Sequence, residues 1–459
     1  MRRLLSYAAL LPFLLSAPRA QGSTPPAQYD RLANGATLIV SEQTNLPIVI
    51  VQVTLDAGAR LDPPEKAGLA SLTADLLTEG TSKRSASKIS DAVDFLGASL
   101  AAGADTDYAS VSLGVLKKDL PAGLDLLTDI LLHPQFADAE IARRREAVLA
   151  GIRAAEDNPG KVAQKAFQRA LFGSGPYGHP VEGTVESVPR ITRSDIQAFY
   201  SRYYRPGRAI ITVVGDIAAA EIRAQLESAL GGWNGGTGET FEYPAFTTPA
   251  KHLVTIDKPI TQANIILGER GVARDNPDYY AITVMNYILG GGGFSSRLLD
   301  NIRTQGGLAY SVASFFTVNK APGSFQVVMQ TKSASADEAV KRARAEIDRI
   351  RREPVKDEEL SEAKRYLTGS FPLRLDSDRK IAGFLSQVEL YGLGRDYADT
   401  YAQRINAVTK DDVLRVAEKY VDPAQLILVV VGDLAKTPLS GMTAEGGAPV
   451  TTMQPQAEK

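Results

Sequence analysis

The sequence contains no cysteine and only three histidines. Without cysteine the chain forms no disulfide, so its hydrophobic cores must supply the stability that exported proteins often gain from cross-links. The histidines, His133, His179 and His252, are isolated and show no paired spacing of the kind that a metal site needs. Each is therefore predicted to be a loop or surface residue rather than a ligand.

The chain also lacks an excess of charge of either sign. Its 51 lysine and arginine residues nearly balance 53 aspartate and glutamate residues, which leaves a net charge of −2. No basic run is longer than Arg143–Arg145, which is predicted to be the solvated face of a helix. Nucleic-acid binding therefore has no support in the sequence.

Long apolar runs are absent except at the N-terminus. Residues 1–20 begin with two arginines, continue through an apolar core over 4–15 and end in small residues, which is typical of a secretory signal peptide. The core is about half of the roughly 20 residues that span a bilayer. We predict cleavage after Ala20 and a soluble protein that is periplasmic or otherwise exported, with no integral membrane segment.

The most informative feature of the chain is an internal repeat. Residues 191–217, ITRSDIQAFYSRYYRPGRAIITVVGDI, resemble residues 408–434, VTKDDVLRVAEKYVDPAQLILVVVGDL. Six identities at one offset are not expected by chance, so the sequence predicts two similar halves that each end in a helix and a strand. The matched pairs, all 217 positions apart, are Thr192/Thr409, Asp195/Asp412, Tyr203/Tyr420, Pro206/Pro423, Gly215/Gly432 and Asp216/Asp433.

Composition indicates where the halves begin and end. Residues 233–250, WNGGTGETFEYPAFTTPA, are rich in glycine, threonine and proline and are predicted to be a linker. An N-terminal domain is therefore placed at 29–232 and a C-terminal domain at 251–435. Residues 21–28 form a polar lead-in, and the polar residues 436–459 are predicted to be a disordered tail.

Residues 290–316 of the second half combine several kinds of element. The glycines are predicted to make a flexible loop, or a place where another backbone comes close. A short helix is predicted over Phe294–Thr304, ended by two more glycines, and a strand over Leu308–Phe316. The four glycines that open this stretch are Gly290, Gly291, Gly292 and Gly293.

Two side chains of this stretch could take part in chemistry. Arg303 falls in the last turn of the predicted helix and Tyr310 on the strand that follows. Both are hydrogen-bond donors that stay protonated at pH 7, and such donors suit a peptide carbonyl or the oxyanion that it becomes during cleavage. Spacing alone favours structural roles, since arginine is common at helix C-termini and tyrosine in strands.

The first half carries a run, GLASLTADLLTEGTSKRS (68–85), that resembles a known motif. It is similar to the stretch around the inverted zinc motif HxxEH in the pitrilysin/insulinase-like metallopeptidases, which include the mitochondrial processing peptidase. The family frame G-x-A-H-x-x-E-H-x-x-F-x-G-T is matched at Gly68, Ala70, Gly80 and Thr81.

The metal-binding positions of that motif hold other residues in this sequence. HxxEH falls on Ser71, Ala74 and Asp75, so the helix face offers a hydroxyl, a methyl group and one carboxylate. The distal glutamate of the family falls at Ala150 or Gly151. Catalytic zinc needs about three protein ligands, so no metal and no other cofactor is expected on this chain.

The resemblance covers most of residues 29–434 and includes the duplication. It implies an α+β fold of two homologous domains in tandem, each a mostly antiparallel sheet covered by helices. The family motif SRLxxxLRxxxGLAYSV places its substrate-binding arginine and tyrosine, which stabilise the transition state, on Arg303 and Tyr310. The arginine of SRL corresponds to Arg297, for which a structural role is expected.

The resemblance implies a zinc-free subunit of an exported heterodimeric zinc metallopeptidase. A homologous partner bearing HxxEH would carry the zinc, and Arg303 and Tyr310 would bind the scissile carbonyl of a peptide or an unfolded segment. The glycines at 290–293 would form a mobile loop near the substrate chamber. The alternative is a non-catalytic binding or assembly protein that keeps the peptidase fold, as core subunits of respiratory complexes do.

Overall fold

The computed structural model describes residues 25–238, 241–247, 253–438 and 450–453. The predicted signal peptide, the first half of the polar lead-in, His252, parts of the linker and most of the tail lie outside these residues. Within the described ranges, no helix is both long enough and apolar enough to cross a membrane.

The first half forms a six-stranded mixed sheet. Its strands are β1 (Gln28–Arg31), β2 (Thr37–Glu42), β3 (Ile48–Leu55), β4 (Ser99–Ala104), β5 (Ala109–Leu116) and β6 (Ala209–Gly215). Their order is β1-β2-β6-β3-β5-β4, in which β2 and β6 run parallel and the other neighbours are antiparallel. The helices are α1 (Leu69–Asp75), α2 (Ala86–Phe95), α3 (Leu120–Leu132), α4 (Asp138–Glu156), α5 (Pro159–Phe172), α6 (Arg193–Tyr203) and α7 (Ala219–Ala229).

The second half repeats this arrangement. Its strands are β7 (Leu253–Asp257), β8 (Gln262–Arg270), β9 (Ala309–Val318), β10 (Pro322–Lys332), β11 (Ile427–Gly432) and β12 (Val450–Met453). Their order is β12-β7-β11-β8-β10-β9, and β7 runs parallel to both β11 and β12. The helices are α8 (Tyr279–Asn286), α9 (Arg297–Leu299), α10 (Ala336–Arg352), α11 (Asp357–Ser370), α12 (Asp378–Leu390), α13 (Tyr397–Ala407) and α14 (Lys410–Tyr420).

The predicted fold class, two homologous α+β domains, is confirmed, and the sheets are mixed rather than purely antiparallel. The β2–β6 and β7–β11 pairs are parallel because β6 and β11 return to the middle of their sheets through long helical connections, as parallel pairing requires. Strand β12 lies inside the range predicted to be a disordered tail, and its pairing with β7 gives that backbone hydrogen-bond partners.

The repeat seen in the sequence is reproduced in the hydrogen bonding of α6 and α14. Thr192 and Asp195 form a reciprocal cap, in which each residue's backbone N–H donates to the other's side chain, at 2.8 and 3.2 Å. Thr409 and Asp412 form the same cap, at 3.0 and 3.1 Å. The repeated residues therefore begin the same helix in each half.

The two halves exchange one helix each. The apolar face of α5, centred on Phe167, packs against β7, β8 and β11 of the second half. The apolar face of α12, including Leu385, packs against β2, β3 and β6 of the first half. Each sheet is thus covered on both faces, which explains why β6 and β11 are buried along their whole length and read as continuous apolar runs.

A buried carboxylate also joins the halves. Asp107, whose side chain is 1 % exposed, accepts hydrogen bonds from the Tyr177 hydroxyl at 3.0 Å and, in the second half, from the Lys320 backbone N–H at 2.7 Å and the Tyr391 hydroxyl at 3.2 Å. Trp233, at the start of the predicted linker, is itself buried in the core of the first half and donates to the Tyr204 carbonyl at 3.0 Å. The linker is therefore attached to the first half at its first residue, and the Gly235 carbonyl, which accepts from Arg205 at 2.6 Å, continues that attachment.

Candidate functional site

The four glycines of the second half lie in or between short helical turns. The sequence predicted either a flexible loop or a close approach of another backbone, and the close approach is what the structure has at Gly290. Tyr287–Gly291 is a π-helical turn that continues α8, and Gly293–Ser295 is a 3-10 turn. Gly290 is buried, and a Cβ atom there would lie 2.5 Å from the Ser314 backbone nitrogen on β9. Glycine is required at this position because the helix end packs directly on the strand.

The helix predicted over Phe294–Thr304 is split into short turns, and the last of them carries Arg303. Asp300–Gln305 is a π-helical turn in which Ile302 is fully buried. The chain then reverses at Gly307, which has a φ of +60° and whose N–H donates to the Arg303 carbonyl at 2.9 Å. The reversal brings the start of β9 back to the turn that bears Arg303.

Arg303 and Tyr310 are brought together by this reversal, and a third residue joins them. The Arg303 guanidinium carbon lies 5.6 Å from the Tyr310 ring centroid and 5.1 Å from the Phe294 ring centroid. Both rings face solvent, with Tyr310 71 % exposed and Phe294 74 % exposed. Cation–π contacts of this kind hold a guanidinium in place without using its N–H groups.

Tyr310 occupies an irregularity in the pairing of β9 with β10. Ala309 is opposite Thr331 and Ser311 is opposite Gln330, so no residue of β10 pairs with Tyr310. Tyr310 and Ser311 are consequently both exposed, whereas regular alternation would bury one of them. Such bulges redirect a side chain and are over-represented next to active sites.

The donor groups of this pair are available for a ligand. Among the described residues, neither the Arg303 guanidinium nor the Tyr310 hydroxyl has a hydrogen-bond or ion-pair partner. Arg297, six positions earlier, is different: it is 8 % exposed and donates two hydrogen bonds of 2.7 Å to Glu359. Burial alone would raise the pKa of Glu359, but the bonds from Arg297 hold that pKa below its usual value. This pairing fits the structural role expected for Arg297.

The zinc-motif positions of the first half form a different kind of site. Ala74 is fully buried, Ser71 is half-buried, and the Asp75 carboxylate accepts hydrogen bonds from Arg144 of α4 at 2.8 and 3.1 Å. Gly151 lies on the exposed side of α4 with open space where a side chain would be. A guanidinium already compensates the charge of Asp75, so these residues do not fit a zinc ion.

The described residues contain no cluster of three or more histidine, aspartate or glutamate side chains that could hold a metal. His133 has its Nδ1 atom 3.4 Å from Asp129, and His179 lies in a loop where burial lowers its pKa. No hydrogen bond or ion pair between described residues links the Ser71–Asp75 face with Arg303 or Tyr310. The two sequence-predicted sites are thus separate features of separate halves.

Some residues of these sites were not apparent from the sequence. Phe294 was assigned to a helix, although a large apolar residue directly after four glycines was a signal that it has no core to enter. Arg143–Arg145 were expected to form a solvated helix face, and Arg143 does lie exposed on α4, where it pairs with Glu79 and Glu140. Arg145 is instead half-buried and donates to the Ile191 carbonyl at 2.7 Å. Spacing gave no signal for the Arg144–Asp75 pair, whose members are 69 positions apart.

Fold and sites together define a two-domain protein of metallopeptidase type whose own zinc positions are replaced. Residues 38–185 match the family model described as insulinase (peptidase family M16), and residues 190–367 match the model described as the peptidase M16 inactive domain. The two matches span most of the chain. The chain belongs to the M16 peptidase family.

Relatives and solved structures agree with this assignment. An uncharacterized zinc protease of Streptomyces coelicolor is 29 % identical over 84 % of this chain and 85 % of its own length. A probable mitochondrial-processing peptidase subunit beta of Arabidopsis thaliana is 26 % identical over 95 % of this chain and 84 % of its own. The crystal structure of a peptidase M16 inactive domain from Pseudomonas fluorescens is 29 % identical, with a TM-score of 0.84 over 89 % of this chain and 98 % of that one.

Proposed function

We propose that this chain is the zinc-free subunit of an exported, heterodimeric zinc metallopeptidase that degrades peptides or unfolded segments. A homologous partner bearing HxxEH would hold the zinc, and this chain would contribute Arg303 and Tyr310. The observation that carries the proposal is the exposed donor pair, which is positioned by two aromatic contacts and a strand bulge yet has no partner among the described residues.

The replaced zinc positions support a division of labour between two chains. The carboxylate that remains, Asp75, is neutralised by Arg144, so this half supplies neither a metal nor a free base. A purely structural protein would have no need to keep two unpaired donors on its surface. The combination favours a subunit that completes a site on another polypeptide.

The chemistry expected of the pair is stabilisation of developing charge. Zinc held by the partner would polarise the attacking water. The Arg303 guanidinium and the Tyr310 hydroxyl donate to the scissile carbonyl oxygen, and these bonds strengthen as the oxygen becomes an oxyanion. Phe294 keeps the guanidinium beside the phenol through its ring face.

The test is peptide cleavage by the chain co-expressed with an HxxEH-bearing homologue. We expect Arg303→Ala and Tyr310→Phe each to lower kcat/KM by roughly 100-fold, which is the usual cost of losing one donor to an oxyanion. Arg395→Ala is the matched control for the arginine, because Arg395 also stacks on a ring, that of Tyr29. Tyr366→Phe is the control for the tyrosine, since Tyr366 is also exposed.

The controls should retain the activity of the wild type, and the chain alone should be inactive. Full activity of the complex with both site variants would contradict the catalytic role and favour the non-catalytic binding or assembly function. Chelator-sensitive activity of this chain without a partner would contradict the zinc-free assignment.

A further inference from the structure

A cavity lies where the two halves and the linker meet. It has a volume of about 690 Å³, within the range of small-molecule and peptide sites. Its walls come from the end of α5 and the turn after it, from the linker segment 243–247, and from the tip of the β9–β10 hairpin. The cavity therefore exists only when both halves are in place.

This cavity is distinct from the Arg303/Tyr310 pair. Tyr310 lies at the start of β9, whereas the cavity wall includes Lys320, beyond the far end of the same strand. Ten residues of extended chain at about 3.3 Å each separate them by roughly 30 Å. A ligand of the cavity would not touch the proposed cleavage site.

Aromatic rings form much of the lining. Phe172 packs edge-on against Tyr177 and Phe246, with ring centroids 5.7 and 6.0 Å apart, and Tyr177 lies 6.2 Å from Tyr243. A lining of aromatic rings favours the binding of apolar side chains.

One cation, Arg270, faces this aromatic lining. Its guanidinium carbon lies 4.0 Å above the Phe246 ring, and no hydrogen bond or ion pair joins it to any described residue. Lys320, the other cation of the wall, is already paired with Asp56 at 2.8 Å. A partly buried guanidinium without a counterion selects for a carboxylate, which it can bind through two parallel hydrogen bonds.

The linker segment adds backbone groups to the wall. Residues 243–247 belong to no helix or strand, and neither their C=O groups nor the N–H groups of the four residues other than Pro244 form a hydrogen bond with another described residue. Backbone groups without a partner among the described residues are the kind that pair with the backbone of an extended peptide. A fatty acid would satisfy the cation and the rings but would leave these groups unpaired.

We propose that this cavity binds the C-terminal end of an apolar peptide. The terminal carboxylate pairs with Arg270, the apolar side chains occupy the aromatic lining, and the peptide backbone bonds to residues 243–247. The site does not depend on the proposed cleavage function, because it requires neither zinc nor a partner chain.

The test is calorimetric titration of the full chain with N-acetyl-Leu-Phe as the free acid and as the C-terminal amide. We expect the acid to bind at least about 10-fold more tightly than the amide, because only the acid makes charge-assisted bonds to Arg270. Arg270→Ala should abolish this preference, and Arg270→Lys should retain part of it while preserving the fold. Arg395→Ala, which removes an arginine stacked at the same 4.0 Å on Tyr29, is the matched control.

Three outcomes would overturn the proposal. They are equal affinity for acid and amide in the wild type, an unchanged preference in Arg270→Ala, and an absence of binding by the wild type at millimolar peptide. Tighter binding of a fatty acid than of the peptide acid would also contradict it, since the role of the linker backbone would then be lost.

Discussion

At the residue scale, the role of an arginine depends on whether folding brings a carboxylate from a distant part of the sequence next to it. Arg297 and Arg144 bond to carboxylates that are 62 and 69 positions away, whereas Arg303 and Arg270 lack such a partner in the described structure. The sequence could nominate Arg303 through a motif, but it could not separate paired from unpaired arginines, because pairing is decided by tertiary packing. For the same reason Arg270 and its cavity were not predicted.

Glu269 should make the stability of the protein depend on pH. It is buried on β8, and burial raises its pKa to about 8. The negative charge of Asp422 also raises this pKa, whereas a hydrogen bond from the Asp422 backbone N–H and the charge of Arg351 lower it. Between pH 4.5 and about 8 the folded state therefore keeps a proton that the unfolded chain has released. The free energy of unfolding should fall as pH rises through this window.

Urea unfolding at several pH values compares the wild type with Glu269→Gln. The variant should show a flatter dependence, because an amide does not titrate, while Glu338→Gln on the exposed face of α10 should follow the wild type. Parallel curves for the wild type and Glu269→Gln would rule out the effect.

At the scale of elements, the sequence predicts a helix correctly where the interactions that fix its ends are local in sequence. The helix starts at Thr192 and Thr409 follow from capping residues three positions apart, and both were anticipated as parts of a repeat. The stretch around Arg303 was less predictable. It was expected to be one helix, but the approach of Gly290 to Ser314 and the return of β9 divide it into short turns. Those contacts are set by packing that local sequence does not encode.

The two repeated caps should be equivalent in energy. Thr192→Ala and Thr409→Ala each remove an acceptor for a backbone N–H at a helix start, so each should lower the free energy of unfolding by about 1 kcal/mol. Thr400→Ala is the control, because Thr400 lies within α13 and bonds only to carbonyls of the preceding turn. Urea unfolding measures all three, and a loss at Thr400 equal to that at the caps would contradict a capping role.

At the scale of the whole molecule, the duplication was visible in the sequence and the helix exchange was not. The offset of 217 residues relates α5 to α12 as well as α6 to α14, but only the folded chain shows that α5 and α12 each cover the sheet of the other half. The continuous apolar runs of β6 and β11 are typical of strands covered on both faces, but such runs carry no information about which helix covers each face.

Because of this exchange, the two halves should unfold together. Phe167→Ala on α5 and Leu385→Ala on α12 should each lower the free energy of unfolding by about 2–5 kcal/mol, since each leaves a cavity between the halves. Phe95→Ala, at a side chain that is 90 % exposed, should change it by less than about 0.5 kcal/mol.

Two probes measure the coupling. Trp233, the single tryptophan, reports on the core of the first half, and circular dichroism reports on the whole chain. The two transitions should coincide in the wild type and in Phe167→Ala, although Phe167 packs on the second sheet. A Trp233 transition that stays in place while the dichroism transition shifts would show that the halves are independent.

The bulge at Tyr310 has an evolutionary consequence. Since no residue of β10 is opposite Tyr310, a mutation can replace that side chain without disturbing the ladder on either side of it. The fold therefore places little constraint on the residue type at this position. Among related subunits, selection for the proposed donor role, rather than for stability, should retain a tyrosine here.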